Sequence, residues 1–290
     1  MIRSLLSRYL PREQKHALKA VYNGIKSHAI RMLASYTPDQ LQAKFRELGI
    51  ARDDAVLMHA SFGRFTGFQG EPKQVLDCLL RCVGPGGHLF MMSMGYTSSA
   101  YDYLKAGKPF DVRRTVSRMG IISEIFRRRE GVLRSANPLH PVLAWGPKAA
   151  WITSGHDQMA HSCGAGSPFE KMLELDTKVL FFDVPFAVLT FAHYLEDRFK
   201  DSAPVPVYHP EPLQSLLIDK DGRERRLEMY VYHRDAIERR NFPALHEALT
   251  QAGLVKRDRI GNTRLMIVKM ADVLQCAERL VDQGTHFYRR

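Results

Sequence analysis

Cysteine is scarce in this chain: four thiols, Cys78, Cys82, Cys163 and Cys276, with no C-x-x-C pair and no Cys/His spacing of the metal-ligand kind. Neither a disulfide framework nor a structural zinc site can be read from them. Nothing at the amino terminus has the pattern of a secretory signal, so a reduced, cytoplasmic setting is expected. Apolar runs long enough to span a bilayer are missing as well. So are G-x-x-x-x-G-K-[ST], G-x-G-x-x-G and H-E-x-x-H, which removes the usual support for nucleotide hydrolases, dinucleotide-dependent dehydrogenases and zinc proteases. None of Ser93, Ser117 and Ser167 sits in a G-x-S-x-G elbow, and a serine hydrolase loses its support with them.

What remains is a composition of ordinary globular type, 45% hydrophobic and 25% charged over 290 residues. That is enough to bury a substantial core in one large domain or two coupled lobes. Acid is the sign in deficit: 31 Asp and Glu against 42 Lys and Arg leave a formal charge of +11. Such a chain attracts anions and repels polycations. The imbalance is steepest in residues 1–34, where Arg3, Arg8, Arg12, Lys15, Lys19, Lys26 and Arg31 oppose Glu13 alone. Interleaved with Leu5, Leu10, Leu18, Val21, Ile25 and Leu33, they read as a basic amphipathic helix broken near Pro11. The chain thus divides into a basic helical extension, 1–35, and a main domain, 36–290. Docking of the extension on the domain, with a solvated basic face, is the first expectation; peripheral contact with a membrane surface is the alternative.

Within the main domain, Thr37 precedes Pro38 as a helix cap, with Leu41, Phe45 and Leu48 along one side and Gly49 as the stop. Residues 55–59 read as a short buried strand, 75–82 as a helix, 84–87 as a turn and 89–92 as the next strand. Helical spacing recurs at 121–129, 168–175, 187–199, 242–252 and 271–283, and strand runs at 142–145, 179–184 and 263–269. Alternation of this kind is α/β, and a three-layer α/β/α sandwich around a mixed sheet is expected. Residues 219–222 read as a hairpin turn between strands at 213–218 and 225–232, an antiparallel excursion in the C-terminal third.

Two histidines stand out in this frame. Thr190 lies one helical turn before His193 and Glu196 one turn after, so hydroxyl, imidazole and carboxylate share a face if the segment is helical. An imidazole beside a carboxylate can act as a general base with an orienting partner. His59 closes the strand 55–59 and is followed by the small residues Ala60 and Ser61, at the kind of strand terminus where α/β sheets place ligands.

Six motifs occur in a fixed order: M-H-A-S-F at 58–62, V-G-P-G-G at 83–87, T-V-S-R-M-G-I-I-S-E at 115–124, R-S-A-N-P-L-H-P at 134–141, G-A-G-S-P-F-E at 164–170 and T-F-A-H-Y-L-E at 190–196. Together, over residues 36–275, they resemble the aminoglycoside 3-N-acetyltransferase family. The resemblance implies direct transfer of acetyl from acetyl-CoA to an amine, with no metal. It makes His193 the general base, with Thr190 and Glu196 orienting it or its substrate. It puts His59, Ala60, Ser61 and Phe62 along the pantetheine channel and Ser117, Met119 and Gly120 in contact with CoA. His140 matches a histidine found in part of the family, and Glu238, or alternatively Asp235, falls where the family has a downstream acid that helps position the catalytic histidine; His140 and Glu238 are assigned to the acceptor side. The chain departs from the family at Val116, where a proline is usual, and at Asn137, where a histidine is usual. An amide cannot take a proton at neutral pH, which bears on the acceptor more than on the reaction.

For that acceptor the +11 charge favours an amino sugar on an anionic carrier, such as a surface-polysaccharide precursor held on a nucleotide or lipid phosphate. Polycationic antibiotic aminoglycosides are the alternative. Nucleic acid is not expected as a partner, because no basic groove interleaved with aromatics is evident; a homodimer is left open. Two rival readings stand apart: a covalent route through an activated Cys163 thiolate near His156, His161 or His193, and a noncatalytic anion- or membrane-binding protein with a vestigial site.

Overall fold

The computed structural model describes residues 12–63 and 67–289. A long helix, α1, spans Arg12–Leu33; the expected break at Pro11 and all that precedes it lie outside the described residues. Helix α2 (Pro38–Leu48) starts in a capping box: Thr37 Oγ1 accepts the Gln40 amide, and the Gln40 side chain accepts the Thr37 amide. Gly49, at φ +107°, ends it in a left-handed turn that favours glycine.

The main sheet is mixed and has seven strands. Its spatial order is β4 (Leu133–Arg134), β5 (Val142–Trp145), β2 (His88–Met92), β1 (Ala55–Ala60), β6 (Lys178–Phe182), β10 (Thr263–Lys269) and β9 (Lys256–Ile260). Strands β2, β1 and β6 run parallel, so their C-terminal ends open on one edge; the other pairs are antiparallel. Both faces are covered by helices. Along β1, Ala55 and Leu57 face a core shared with α6 (Ala149–Thr153), α7 (Pro168–Leu173), α8 (Ala192–Arg198), α10 (Phe242–Gln251) and α11 (Met270–Asp282). Val56 and Met58 face a second core with α2, α3 (Pro72–Val83) and α5 (Ile121–Arg127). Burial on both faces is why these strands read as unbroken apolar runs rather than as alternating ones. Phe90, Phe181 and Phe182 are fully buried, each contributing on the order of 2–3 kcal/mol of transfer free energy. Between α3 and β2 the chain passes so close to itself that a Cβ on Gly87 would stand 2.6 Å from Val83 Cβ and 2.9 Å from Asp54 O.

The expected antiparallel hairpin, β7 (Leu213–Ile218) and β8 (Glu224–Met229), is part of a separate three-stranded sheet that β3 (Phe110–Asp111), from the first half of the chain, joins by pairing in parallel with β7. Asp219 Oδ1 accepts the amides of Asp221 and Arg223 and closes the β7–β8 turn. Phe110, Leu217, Leu227 and Met229 give this sheet its own core, beside α4 (Ala100–Lys105). Strand β8 stops at Met229, three residues short of the expected end, and Tyr232 bridges Tyr208 instead.

Two further departures matter for the site. The run 187–199 is not one helix: a 3₁₀ turn at Phe186–Val188 is followed by Leu189 at ψ +102°, and α8 begins at Ala192. Thr190 therefore sits in the turn ahead of the helix. A short helix, α9 (Arg234–Arg239), and β9 were also not anticipated.

Candidate active site

Strand periodicity puts His59 on the same face of β1 as Leu57, toward α8. Its ring centroid is 5.5 Å from that of Phe181, and its Nε2 stands 3.5 Å from Thr190 Oγ1. Burial pushes the His59 pKa down to about 4, so at neutral pH the ring is a hydrogen-bonding group and not a cation. Thr190 thus faces His59 across the site instead of stacking with Glu196 along a helix. Its carbonyl accepts the His193 amide at 3.0 Å, which sets the start of α8.

His193 and Glu196, one turn apart on α8, form a hydrogen bond of 2.8 Å between Nδ1 and Oε2. In the neutral ring Nδ1–H donates to the carboxylate, leaving the Nε2 lone pair as the proton acceptor. Glu196 is fully buried and has three partners: the His193 ring, Arg240 and the Tyr288 hydroxyl at 2.9 Å. Arg240 grips it with Nε at 2.6 Å from Oε1 and Nη2 at 2.9 Å from Oε2, its guanidinium lying 4.8 Å over the Tyr232 ring. Burial alone would raise the Glu196 pKa, but His193 and Arg240 hold it below the ordinary value. For His193 burial is the largest influence and lowers the pKa; Glu196 opposes this and Arg240 adds to it. Arg240 Nη2 is 3.4 Å from His193 Nδ1, too long to displace the ionised carboxylate at 2.8 Å. The result is a neutral base at physiological pH, fixed in one tautomer.

His193 borders a cavity of about 630 Å³ at the C-terminal edge of the parallel strands, whose walls also include His59, Ala60, Met92, Arg118, Met119, Thr190 and Arg240, while Glu196 is buried behind it. A second cavity of about 650 Å³ shares Val184, Ala187, Phe242 and Pro243 with it and continues to Arg257, Arg259 and Arg264. The loop opposite His193 is fastened without the family's proline. Arg134 Nη1 donates to Thr115 O at 2.6 Å, the Ser117 amide donates to Glu124 Oε2 at 2.8 Å, and the Ser123 hydroxyl donates to Met92 O at 2.6 Å.

Not every expected contact meets in the cavity. Ser117 turns inward, its hydroxyl 2.9 Å from that of Ser123, whereas Met119 lines the cavity wall and Gly120, at φ +106°, starts α5 close to Ala60. The Ser61 amide donates to Phe182 O, and Phe62 packs edge-on to Phe68 beside a different, smaller cavity. His140 is buried behind the base, its ring centroid 5.0 Å from that of His193 and its Nδ1 2.6 Å from Ser162 Oγ. Asn137 is a turn staple: Oδ1 accepts the amides of Leu139 and His140, and Nδ2 donates to His156 O. It faces the interior and does not border the cavity. Glu238 is exposed and pairs with Arg234 at 2.7 Å; the side chain that reaches the His193–Glu196 pair from this region is Arg240, two residues on. Cys163 is fully buried and burial pushes its thiol pKa up, which removes the thiolate that a covalent route requires. Sequence reading missed Arg240, Tyr232 and Tyr288.

A family model described as aminoglycoside 3-N-acetyltransferase matches residues 57–282. The chain belongs to the aminoglycoside 3-N-acetyltransferase family. As a member it is an N-acetyltransferase that uses acetyl-CoA. Aminoglycoside N(3)-acetyltransferase III of Pseudomonas aeruginosa is 29% identical over 201 residues, which cover 65% of this chain and 72% of that protein. Among solved structures, AAC-IIIb binary with CoASH superposes with a TM-score of 0.72 at 23% identity, covering 89% of this chain and all of that one. A mutant of aminoglycoside acetyltransferase AAC(3)-IVa in complex with a gentamicin gives a TM-score of 0.71 at 23% identity over 88% of this chain and 92% of that one. These aminoglycoside 3-N-acetyltransferases share the mixed α/β fold described above.

Proposed function

We propose that the chain acetylates an amine of an aminoglycoside or closely related amino sugar, with His193 as general base and acetyl-CoA as donor. The observation that carries this reading is His193, backed by the buried Glu196, on the wall of a cavity that also holds His59 and Thr190. The neutral amine attacks the thioester carbonyl, and His193 Nε2 takes the N–H proton as the new C–N bond forms. Collapse breaks the C–S bond, and the proton passes to the CoA sulfur, releasing the thiol. Glu196 supports the imidazolium during the step, and Arg240 keeps Glu196 ionised. His59, Ala60 and Met119 serve the cofactor arm.

The relatives' acceptors support the aminoglycoside more strongly than the polysaccharide-precursor amino sugar expected from charge alone. One observation keeps the second reading in view: the charged side chains lining this cavity are Arg118 and Arg240, the latter paired with the buried Glu196, and no Asp or Glu is among the lining residues. Such a lining suits an acceptor of low positive charge. Steady-state turnover of acetyl-CoA with gentamicin- and apramycin-type drugs, set against UDP-linked amino sugars, tests the choice. Faster turnover of the drugs is expected; exclusive turnover of the nucleotide-linked sugars would reverse it, and no turnover of either would remove the catalytic reading.

A further inference from the structure

We propose that the outward face of α1 docks on an anionic phospholipid surface. The helix is amphipathic in the opposite sense from one packed on a core. Asn23, Ser27, Ile30 and Ala34 are the half-buried positions turned toward the domain. Val21, Ile25, Met32 and Leu33 are 60%, 67%, 71% and 87% exposed, and Tyr22 and Ala29 are exposed with them. At the pitch of an α-helix these six positions fall within an arc of ~120°. The contrast with α2 is direct, since its Leu41, Phe45 and Leu48 are all buried. Val21, Ile25, Met32 and Leu33 thus stay open to solvent among the described residues, while the other side of α1 is seated: Ser27 and Arg31 line a small cavity against Phe62 and the segment 67–70.

Charge selects the occupant. Residues 1–34 carry seven Lys and Arg against Glu13, within a chain of net +11, and Lys26 and Arg31 are exposed on the described helix. An anionic lipid surface answers both properties at once: the arc enters the headgroup boundary while the bases meet lipid phosphates. A second copy of this helix would bring like charges together around the apolar contact, and a nucleic acid would leave the arc in water. Among the described residues no helix is long and apolar enough to cross a membrane, so the contact is peripheral.

Co-sedimentation of the full chain with phosphatidylcholine vesicles, with and without phosphatidylglycerol, tests this, alongside the double variant Ile25→Glu/Met32→Glu. Retention is expected only on the anionic vesicles, weakening with salt and falling at least about tenfold in the double variant. Acetyl-CoA turnover with a soluble acceptor should not change, which separates loss of docking from loss of fold. Retention equal in the variant and the parent chain, or equal on both kinds of vesicle, would overturn the proposal. So would light scattering that shows a dimer for the parent chain and a monomer for the variant, because the occupant would then be a second copy.

Discussion

The seven residues of α8 bury a glutamate and an aspartate, whereas the 22 residues of α1 leave Val21, Ile25 and Met32 in water. Each helix breaks the ordinary rule of polar outside and apolar inside, but the two breaches are compensated differently. Around α8 every buried charge has named partners within the chain: Glu196 has His193, Arg240 and Tyr288, and Asp197 has His161 and the Tyr208 hydroxyl. On α1, by contrast, Val21, Ile25, Met32 and Leu33 stay more than half exposed among the described residues. The first arrangement is the one proposed above for chemistry inside the fold, and the second the one proposed for contact outside it.

The sharpest way to break this contrast is at its catalytic end. His193→Ala should lower kcat by roughly 10²-fold or more while leaving CoA affinity near the parent value, read by steady-state kinetics and CoA titration. Retained kcat would take the ring out of the mechanism. Glu196→Gln should lower kcat by about tenfold and cost about 3 kcal/mol in urea unfolding, because Arg240 loses its ionised partner in a largely buried position. The paired comparison is Ile25→Glu/Met32→Glu, whose stability should stay within about 0.5 kcal/mol of the parent since these side chains bury little.

Weaker effects sharpen the comparison through pH. Arg240→Gln removes a positive charge beside His193 and leaves Glu196 to act on the ring alone. Both changes raise the His193 pKa, so the acid limb of kcat/KM should move to higher pH, with a loss of rate at neutral pH of less than about tenfold. An unmoved limb would confine Arg240 to a structural role. His59 and His156 are held near 4 by burial, against 6.5 for the unfolded ring. The unfolded chain therefore binds protons first as pH falls. Their contribution to stability is complete above pH 6.5 and is lost progressively toward pH 4, on the order of 3 kcal/mol for each ring. Denaturant midpoints across that window check the slope. The smallest effect belongs to Glu238→Ala, which should change kcat and stability hardly at all, within about 0.5 kcal/mol, because its side chain meets only Arg234 at the surface.

Much of this was legible in the chain, for reasons that differ by element. The central strands announced themselves as short apolar runs because both sheet faces are buried, and α2 did so through Thr37, Pro38 and Gly49. His193 and Glu196 were readable because their spacing of three is a local relation that any helix enforces. Arg240 was not, since it lies 44 residues from Glu196 and only the return of the chain past α9 brings them together. Strand β9 escaped because Lys256–Ile260 is an edge strand in which only Ile260 is buried. Thr190 fitted a helical repeat but was displaced by the break at Leu189, a backbone torsion that periodicity does not encode. Ser117 matched a motif whose residue type can serve a ligand or a turn, and here the hydroxyl turns toward Ser123.

All four cysteines are buried, and they are divided evenly between the two sides of the main sheet: Cys78 and Cys82 lie in one core, Cys163 and Cys276 in the other. Native protein should accordingly resist alkylating reagents at neutral pH, and any thiol that does react reports the opening of its own layer. Mapping which pair is modified first under mild denaturant would show whether the layer carrying α8 comes apart before the layer carrying α2, without introducing a single label.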